Sequence, residues 1–219
     1  MVKVKRIGIV AGGPQSLLAD LSTYQAEIDY WIGCDRGSLY LLANHLPLDL
    51  AIGDFDSVDE KELKKIKTAA KQIQFHPVEK DLTDLELAIN QAINIGAEEL
   101  IIFGVSGGRK DHELAAIFLL EQLAREHVRS TIIDRQNIIS FYLPGKHRIS
   151  TDQKYNKVSF LALTEHVTGL TLTQFYYELK ETTIRRGDSL TLSNHLIEQP
   201  GYFSFDSGIL IVIKSSEHI

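Results

Sequence analysis

One cysteine, Cys34, stands among the 219 residues, so no disulfide can form within the chain and nothing points to an oxidising compartment. It lies in an apolar run beside Trp31 and Ile32, where its expected role is packing. No apolar run approaches the roughly 18 to 20 residues that a membrane-spanning helix needs. The basic start, Met1 to Arg6, meets Gly12-Gly13-Pro14 too soon for the apolar region and cleavage site of a signal peptide. The expectation is a soluble, cytoplasmic protein with no membrane partner. An excess of basic charge is also lacking: the net charge of −6 argues against sequence-independent nucleic-acid binding, which needs a basic footprint. The eight histidines show no metal-ligand spacing, and a single cysteine excludes a thiolate zinc site. There is no G-x-x-x-x-G-K-[ST] loop, and Ala11-Gly12-Gly13-Pro14 is not a G-x-G-x-x-G turn. No internal repeat or low-complexity tract is visible.

An apolar fraction of 44% and a charged fraction of 24% suffice for a sizeable core. Across residues 6–143, short apolar runs alternate with helical patterns. Strands are expected at 7–11, 30–34, 50–53, 73–75, 100–105 and 131–134, with helices at 16–25, 37–44, 60–71, 83–95 and 112–126. Leu85, Ala88, Ile89, Ala92 and Ile93 fall on one stripe of the fourth helix. Such alternation implies a mostly parallel sheet covered by flanking helices. The pattern changes at Pro144-Gly145. Beyond it, Thr-, Val-, Ile-, Phe- and Tyr-rich runs at 157–162, 167–172, 175–179, 189–192, 202–205 and 209–213 are separated by glycine turns, with no helical pattern. The fold class is therefore α/β, followed by a C-terminal antiparallel β-sandwich, with domains at 1–143 and 146–219. The second has a thin core and is expected to lean on the first or on another subunit.

Aspartates gather where strands are expected to end: Asp35; Asp54 and Asp56 in Gly-Asp-Phe-Asp-Ser; Asp81 and Asp84; and Asp111 in Gly107-Gly108-Arg109-Lys110-Asp111-His112. Strand carboxyl ends share one edge of an open parallel sheet, and ligands bind in the crevice there. Carboxylates on that edge repel unless a cation sits among them, most simply a divalent metal with phosphate as companion. Oxygen-only ligands favour Mg²⁺. If the chain stays extended past residue 53, Asp54 and Asp56 point to one side roughly 7 Å apart, within reach of a shared metal.

Plainer roles compete with these. Ser57 or Asp56 could cap the helix starting near Asp59. Thr83 and Glu86 fit a capping box, and Asp81 and Asp84 suit a helix dipole. Lys80, by contrast, is unfavourable near a helix start, and a ligand phosphate would resolve the conflict. The glycines at 107 and 108 would let backbone approach a ligand, while Arg109 offers a planar donor fork. The Ala-Gly-Gly at 11–13 is either a plain turn or a place for a nucleotide beside the first strand.

In this order, Asp35-x-Gly37, Gly53-Asp54-Phe55-Asp56-Ser57, Asp81-x-Thr83-Asp84 and Gly107-Gly108-Arg109-x-Asp111-His112, the chain resembles the thiamine pyrophosphokinase family. The likeness continues more faintly through Tyr177-x-Leu179, Ser193-Asn194 and Gly208. Arg36 departs from the Asp-Gly-Gly of many members. The resemblance implies an α/β catalytic domain and a β-sandwich, a homodimer with thiamine bound between subunits, and transfer of pyrophosphate from ATP to thiamine. It implies Mg²⁺ on Asp54, Asp56 and Asp84, with Asp81 nearby. Arg109 and Asp111 would serve the nucleotide and phosphates, joined on that side by Asp35, Gly37, Lys80, Thr83, Gly107, Gly108 and His112. Ser193 and Asn194 would lie on the thiamine side. One carboxylate, Asp81 or Asp56, could take the proton of the attacking hydroxyl. Two other readings stay open. One is an aspartyl-phosphate phosphatase with Asp54 as nucleophile, which leaves Asp35, Asp81, Asp84 and the Gly-Gly-Arg-x-Asp-His run without work. The other is a sensor that keeps the pocket without turnover.

Overall fold

The computed structural model describes residues 5–77 and 81–217. It divides by internal packing into two units: the residues up to Leu119 with His127–Arg135, and Leu120–Glu126 with the chain from Gln136 onward.

In the first unit the apolar runs become β1 (Arg6–Val10), β2 (Tyr30–Cys34), β3 (Leu50–Gly53), β4 (Gln72–Phe75), β5 (Glu99–Phe103) and β6 (Arg129–Ile133). All pair in parallel, in the order β4-β3-β2-β1-β5-β6. Between them run α1 (Arg36–Ala43), α2 (Glu60–Ala69), α3 (Asp84–Ile95) and α4 (Lys110–Arg125), whose residues from Leu120 onward count with the second unit. Ile7, Ile9, Ile32, Ile52, Leu100, Ile102 and Phe103 are wholly buried along the central strands. Each such side chain contributes about 1.5–3 kcal/mol when removed from water. From β1 the chain steps outward to β2, β3 and β4, then returns to place β5 on the other side of β1. The carboxyl ends of β1 and β5 thus mark the switch point, outside which an open α/β sheet leaves a crevice.

Capping follows the sequence closely. Thr83 accepts from the Glu86 N–H while the Glu86 carboxylate accepts from the Thr83 N–H at 2.8 Å, and Asp59 and Glu62 repeat the arrangement on α2. One helix is overturned. Residues 16–25 form two short 3₁₀ turns, Gln15–Leu17 and Leu21–Tyr24. The Asp20 carboxylate accepts from the Ser22 N–H and Oγ–H at 3.1 and 2.6 Å, a local bond that competes with helix propagation. Leu18 is extended and bridges to Asp134, and the Leu17 carbonyl accepts from the Arg135 N–H.

The second unit holds β7 (Asn137–Tyr142), β8 (Gly145–Ile149), β9 (Lys157–Ala162), β10 (His166–Thr173), β11 (Leu179–Arg185), β12 (Gly201–Phe205) and β13 (Leu210–Ser215). Antiparallel β7-β13-β9 faces antiparallel β11-β10-β12-β8. Val158, Phe160, Val167, Leu170, Phe175, Phe203 and Leu210 meet in the sandwich core. Phe160 packs edge-on against both Phe175 and Phe203, with centroids 5.4 and 5.3 Å away. The runs at 175–179 and 189–192 are not strands. Phe175 makes only an isolated bridge to Leu196, and β11 begins at Leu179. β8, with the polar run Lys-His-Arg, carried no apolar signal.

Candidate active site

Glycines stand at or just past the ends of β1, β2, β3 and β5. Any side chain at Gly13 would strike the Gly104 carbonyl, and one at Gly104 the Ala11 carbonyl, so β1 and β5 stay close past their ends. They remain bonded there, Ala11 N–H to Phe103 and Gly13 N–H to Gly104, both at 2.8 Å. Gly37 lets α1 descend onto the Val10 carbonyl. It is therefore buried beneath the crevice rather than open to it.

A cavity of about 1000 Å³ opens at this edge. Ala11–Pro14, Gly104 and Val105, and Gly107–Arg109 line it, with Asp35 from the end of β2 and Asp54, Asp56 and Ser57 from the end of β3. Thr83 and Asp84 enter from the start of α3, Asp111 and His112 from the start of α4. Ten residues singled out in the sequence thus share one space: Asp35, Asp54, Asp56, Thr83, Asp84, Gly107, Gly108, Arg109, Asp111 and His112. Asp81 is exposed and does not line it, and Lys80 lies outside the described residues. Ser193 and Asn194 belong to the second unit. Asn194 is buried; its Oδ1 accepts from the Tyr177 and His195 N–H groups and its Nδ2 donates to the Tyr177 carbonyl. That side chain holds a loop in place, and Tyr176 and Tyr177 stand exposed on it.

The carboxylates feel one another. Burial holds Asp35 up at about 7; the Phe55 N–H works against this, and the charges of Asp84 and Asp54 reinforce it. Asp111, bonded by Arg109 through Nε at 3.2 Å and Nη2 at 2.6 Å, is held down to about 2. One group of acids therefore has its charge opposed by its neighbours, while the other already has its cation. Among the described residues, no three His, Cys, Asp or Glu side chains stand so as to hold a metal ion between them. The expected trio of Asp54, Asp56 and Asp84 shares a cavity without forming a finished ligand set. The donor chemistry nevertheless fits a hard divalent cation: carboxylate oxygens, with the charges of Asp84 and Asp54 adding to the burial that raises Asp35.

Leu85, Ala115, Ala116, Phe118 and Leu119 supply an apolar wall that sequence reading missed. A signal existed, because Phe118 falls off the buried Ala116-Leu120-Leu123 stripe of α4 and remains 54% exposed.

Carboxylates at the carboxyl edge of an open sheet, faced by glycine-loop amides and an arginine fork, define an α/β enzyme that handles phosphoryl groups. Residues 21–132 match the family profile described as "Thiamin pyrophosphokinase, catalytic domain", and residues 146–210 match "Thiamin pyrophosphokinase, vitamin B1 binding domain". The thiamine pyrophosphokinase of Bacillus subtilis is 42% identical over 215 residues, covering 98% of this chain and all of that one. A solved structure of thiamine pyrophosphokinase from B. subtilis superposes with a TM-score of 0.92 at 40% identity, covering 98% of this chain and all of the other. One from Geobacillus thermodenitrificans gives 0.87 at 41%, covering 97% and 98%. The chain belongs to the thiamine pyrophosphokinase family.

Among the described residues, no helix is long and apolar enough to cross a membrane.

Proposed function

We propose that the chain transfers the pyrophosphoryl group of ATP to the hydroxyl of thiamine, giving thiamine diphosphate and AMP. The observation that carries this is the single cavity at the switch point, where carboxylates from three chain segments face Arg109 and the 107–108 glycines in a member of this family. The hydroxyl oxygen attacks the β-phosphorus, the bond from that phosphorus to the α-phosphate oxygen breaks, and AMP departs. Such transfer depends on positioning and charge neutralisation more than on covalent help. Asp54, Asp56 and Asp84 would hold Mg²⁺, with Asp35 behind them. When bound, the ion supplies Lewis-acid neutralisation of phosphate oxygens. The amides at 107 and 108 and the start of α4 present N–H donors to the phosphates. Arg109, which holds Asp111 through Nε and Nη2, turns part of its fork to phosphate oxygens. Lys80 would add charge on the leaving side. Asp56, an exposed carboxylate that lines the cavity, accepts the hydroxyl proton. The apolar wall of Leu85, Phe118 and Leu119 suits a flat heterocycle.

We place the enzyme in the cytoplasm as a homodimer, with Ser193 and the loop that Asn194 steadies on the thiamine side. Sedimentation at micromolar concentration tests the dimer. Product analysis with ATP, Mg²⁺ and thiamine, repeated without each component, tests the reaction. The expected result is AMP formed in step with thiamine diphosphate and only in the full mixture. Orthophosphate release without thiamine would favour hydrolysis and overturn the proposal.

A further inference from the structure

The loop bearing Asp54 and Asp56 has an unusual backbone. Gly53 has φ 146°, and Phe55, a buried phenylalanine 4% exposed, has φ 60°. A non-glycine residue in that region costs about 1–3 kcal/mol and persists only where its surroundings enforce it. Phe75 meets the Phe55 ring edge-on at 5.1 Å, which holds the side chain but not the two flanking carboxylates.

The backbone is gripped instead by two consecutive residues at the end of β2. The Asp35 Oδ1 accepts from the Phe55 N–H at 2.9 Å. The Arg36 guanidinium, through Nη2, donates to the Ser57 carbonyl. These bonds close on either side of Asp56, and the Asp56 N–H is turned back onto Asp54 Oδ1 at 2.9 Å. Asp35 is itself held in a left-handed conformation, φ 44°, with its N–H on the Ile52 carbonyl at 3.1 Å. Arg36 is the first residue of α1, where a cation opposes the helix dipole. An arginine there is locally unfavourable, and its reach to Ser57 is the compensating contact.

We infer that Arg36 is a positioning residue which, with Asp35, clamps the Asp54–Ser57 loop and sets the placement of its two carboxylates toward a divalent cation. Arg36 does not line the cavity, so it acts through the loop and not on the substrate. The inference deepens the proposed function and rests on it for the identity of the cation, but the clamp itself is made by the chain's own bonds.

The test pairs Arg36→Ala with Arg36→Lys, both checked for wild-type circular dichroism. Hydrogen exchange of the segment 53–58 is followed without ligand, and the Mg²⁺ concentration for half-maximal thiamine diphosphate formation is measured alongside. A charge-assisted hydrogen bond corresponds to roughly tenfold or more in an equilibrium constant. Arg36→Ala should therefore exchange about tenfold faster in this segment, and its half-saturating Mg²⁺ should rise by a similar factor while KM for thiamine stays put. Arg36→Lys, which retains a cationic donor, should recover part of both. Wild-type exchange together with a wild-type Mg²⁺ requirement in Arg36→Ala overturns the clamp. A change in exchange throughout the first unit would also overturn it, by making Arg36 a general stabiliser. If the wild-type chain forms no thiamine diphosphate at all, the function fails while the exchange arm still judges the clamp.

Discussion

Replacing Gly53 by alanine should damage the candidate site twice over, and the two contributions can be separated. The first is backbone: φ 146° lies where side chains are rarely tolerated, at about 1–3 kcal/mol. The second is steric and electrostatic: a Cβ there would overlap Asp35 Oδ1, the atom that accepts from the Phe55 N–H. Pushing the carboxylate aside leaves that N–H unpaired at about 1–3 kcal/mol. The sum is about 2–6 kcal/mol, comparable with much of the stability of a domain. Gly96→Ala is the control. It sits in the same unit at φ 89°, at the end of α3, and a Cβ there meets nothing within 4 Å. Only the left-handed term applies, about 1–2 kcal/mol. Urea unfolding followed by Trp31 fluorescence reports on the unit that holds both sites. With a mid-range slope of about 2 kcal/mol per molar urea, Gly53→Ala should lose about 1–3 M in midpoint and Gly96→Ala about 1 M or less. Equal losses in the two variants would refute the claim that Gly53 is required by the Asp35 contact.

Asp54→Asn and Asp84→Asn should keep their unfolding free energies within about 1 kcal/mol yet lose about a hundredfold or more in kcat with Mg²⁺, as measured by AMP release. Asp111 should remain ionised down to about pH 2, because the Arg109 fork favours its charged form. Its contribution to stability is therefore fully present above the ordinary carboxylate range and is lost as pH falls toward 2. In Arg109→Ala the same carboxyl should titrate near 4, read by ¹³C NMR of the side chain. Asn194→Ala should leave the Tyr177 and His195 N–H groups and the Tyr177 carbonyl without their partner, at about 2–4 kcal/mol. Its unfolding midpoint should fall, whereas Ser193→Ala, at an exposed position, should leave it unchanged.

Much of this molecule is visible in its residues because short-range physics governs it. Apolar runs of four to six residues between helical patterns can satisfy their backbone groups only in a covered parallel sheet, and β1–β6 follow. Thr83-x-x-Glu86 caps its helix through bonds that span three residues, so spacing alone decides it. Asp35, Asp54 and Asp56 follow strands, Asp84 and Asp111 open the helices after β4 and β5, and all parallel strands end on one edge. Their convergence therefore follows from topology before any coordinate is known. Other features depend on partners far along the chain. Residues 16–25 have the composition of a helix, but Leu18 is claimed by Asp134 and Leu17 by Arg135, more than a hundred residues away. β8 is polar through Lys146-His147-Arg148 and is a strand because β12 offers a ladder to it. The apolar wall around Phe118, the commitment of Asn194 to a loop, and the grip of Asp35 and Arg36 on Phe55 and Ser57 arise only when the chain has folded. Each depends on where a side chain ends rather than on which residues stand beside it. Local propensity and the alternation of strand and helix are written in nearest neighbours; the placement of charge within a cavity is set by contacts that sequence distance does not encode.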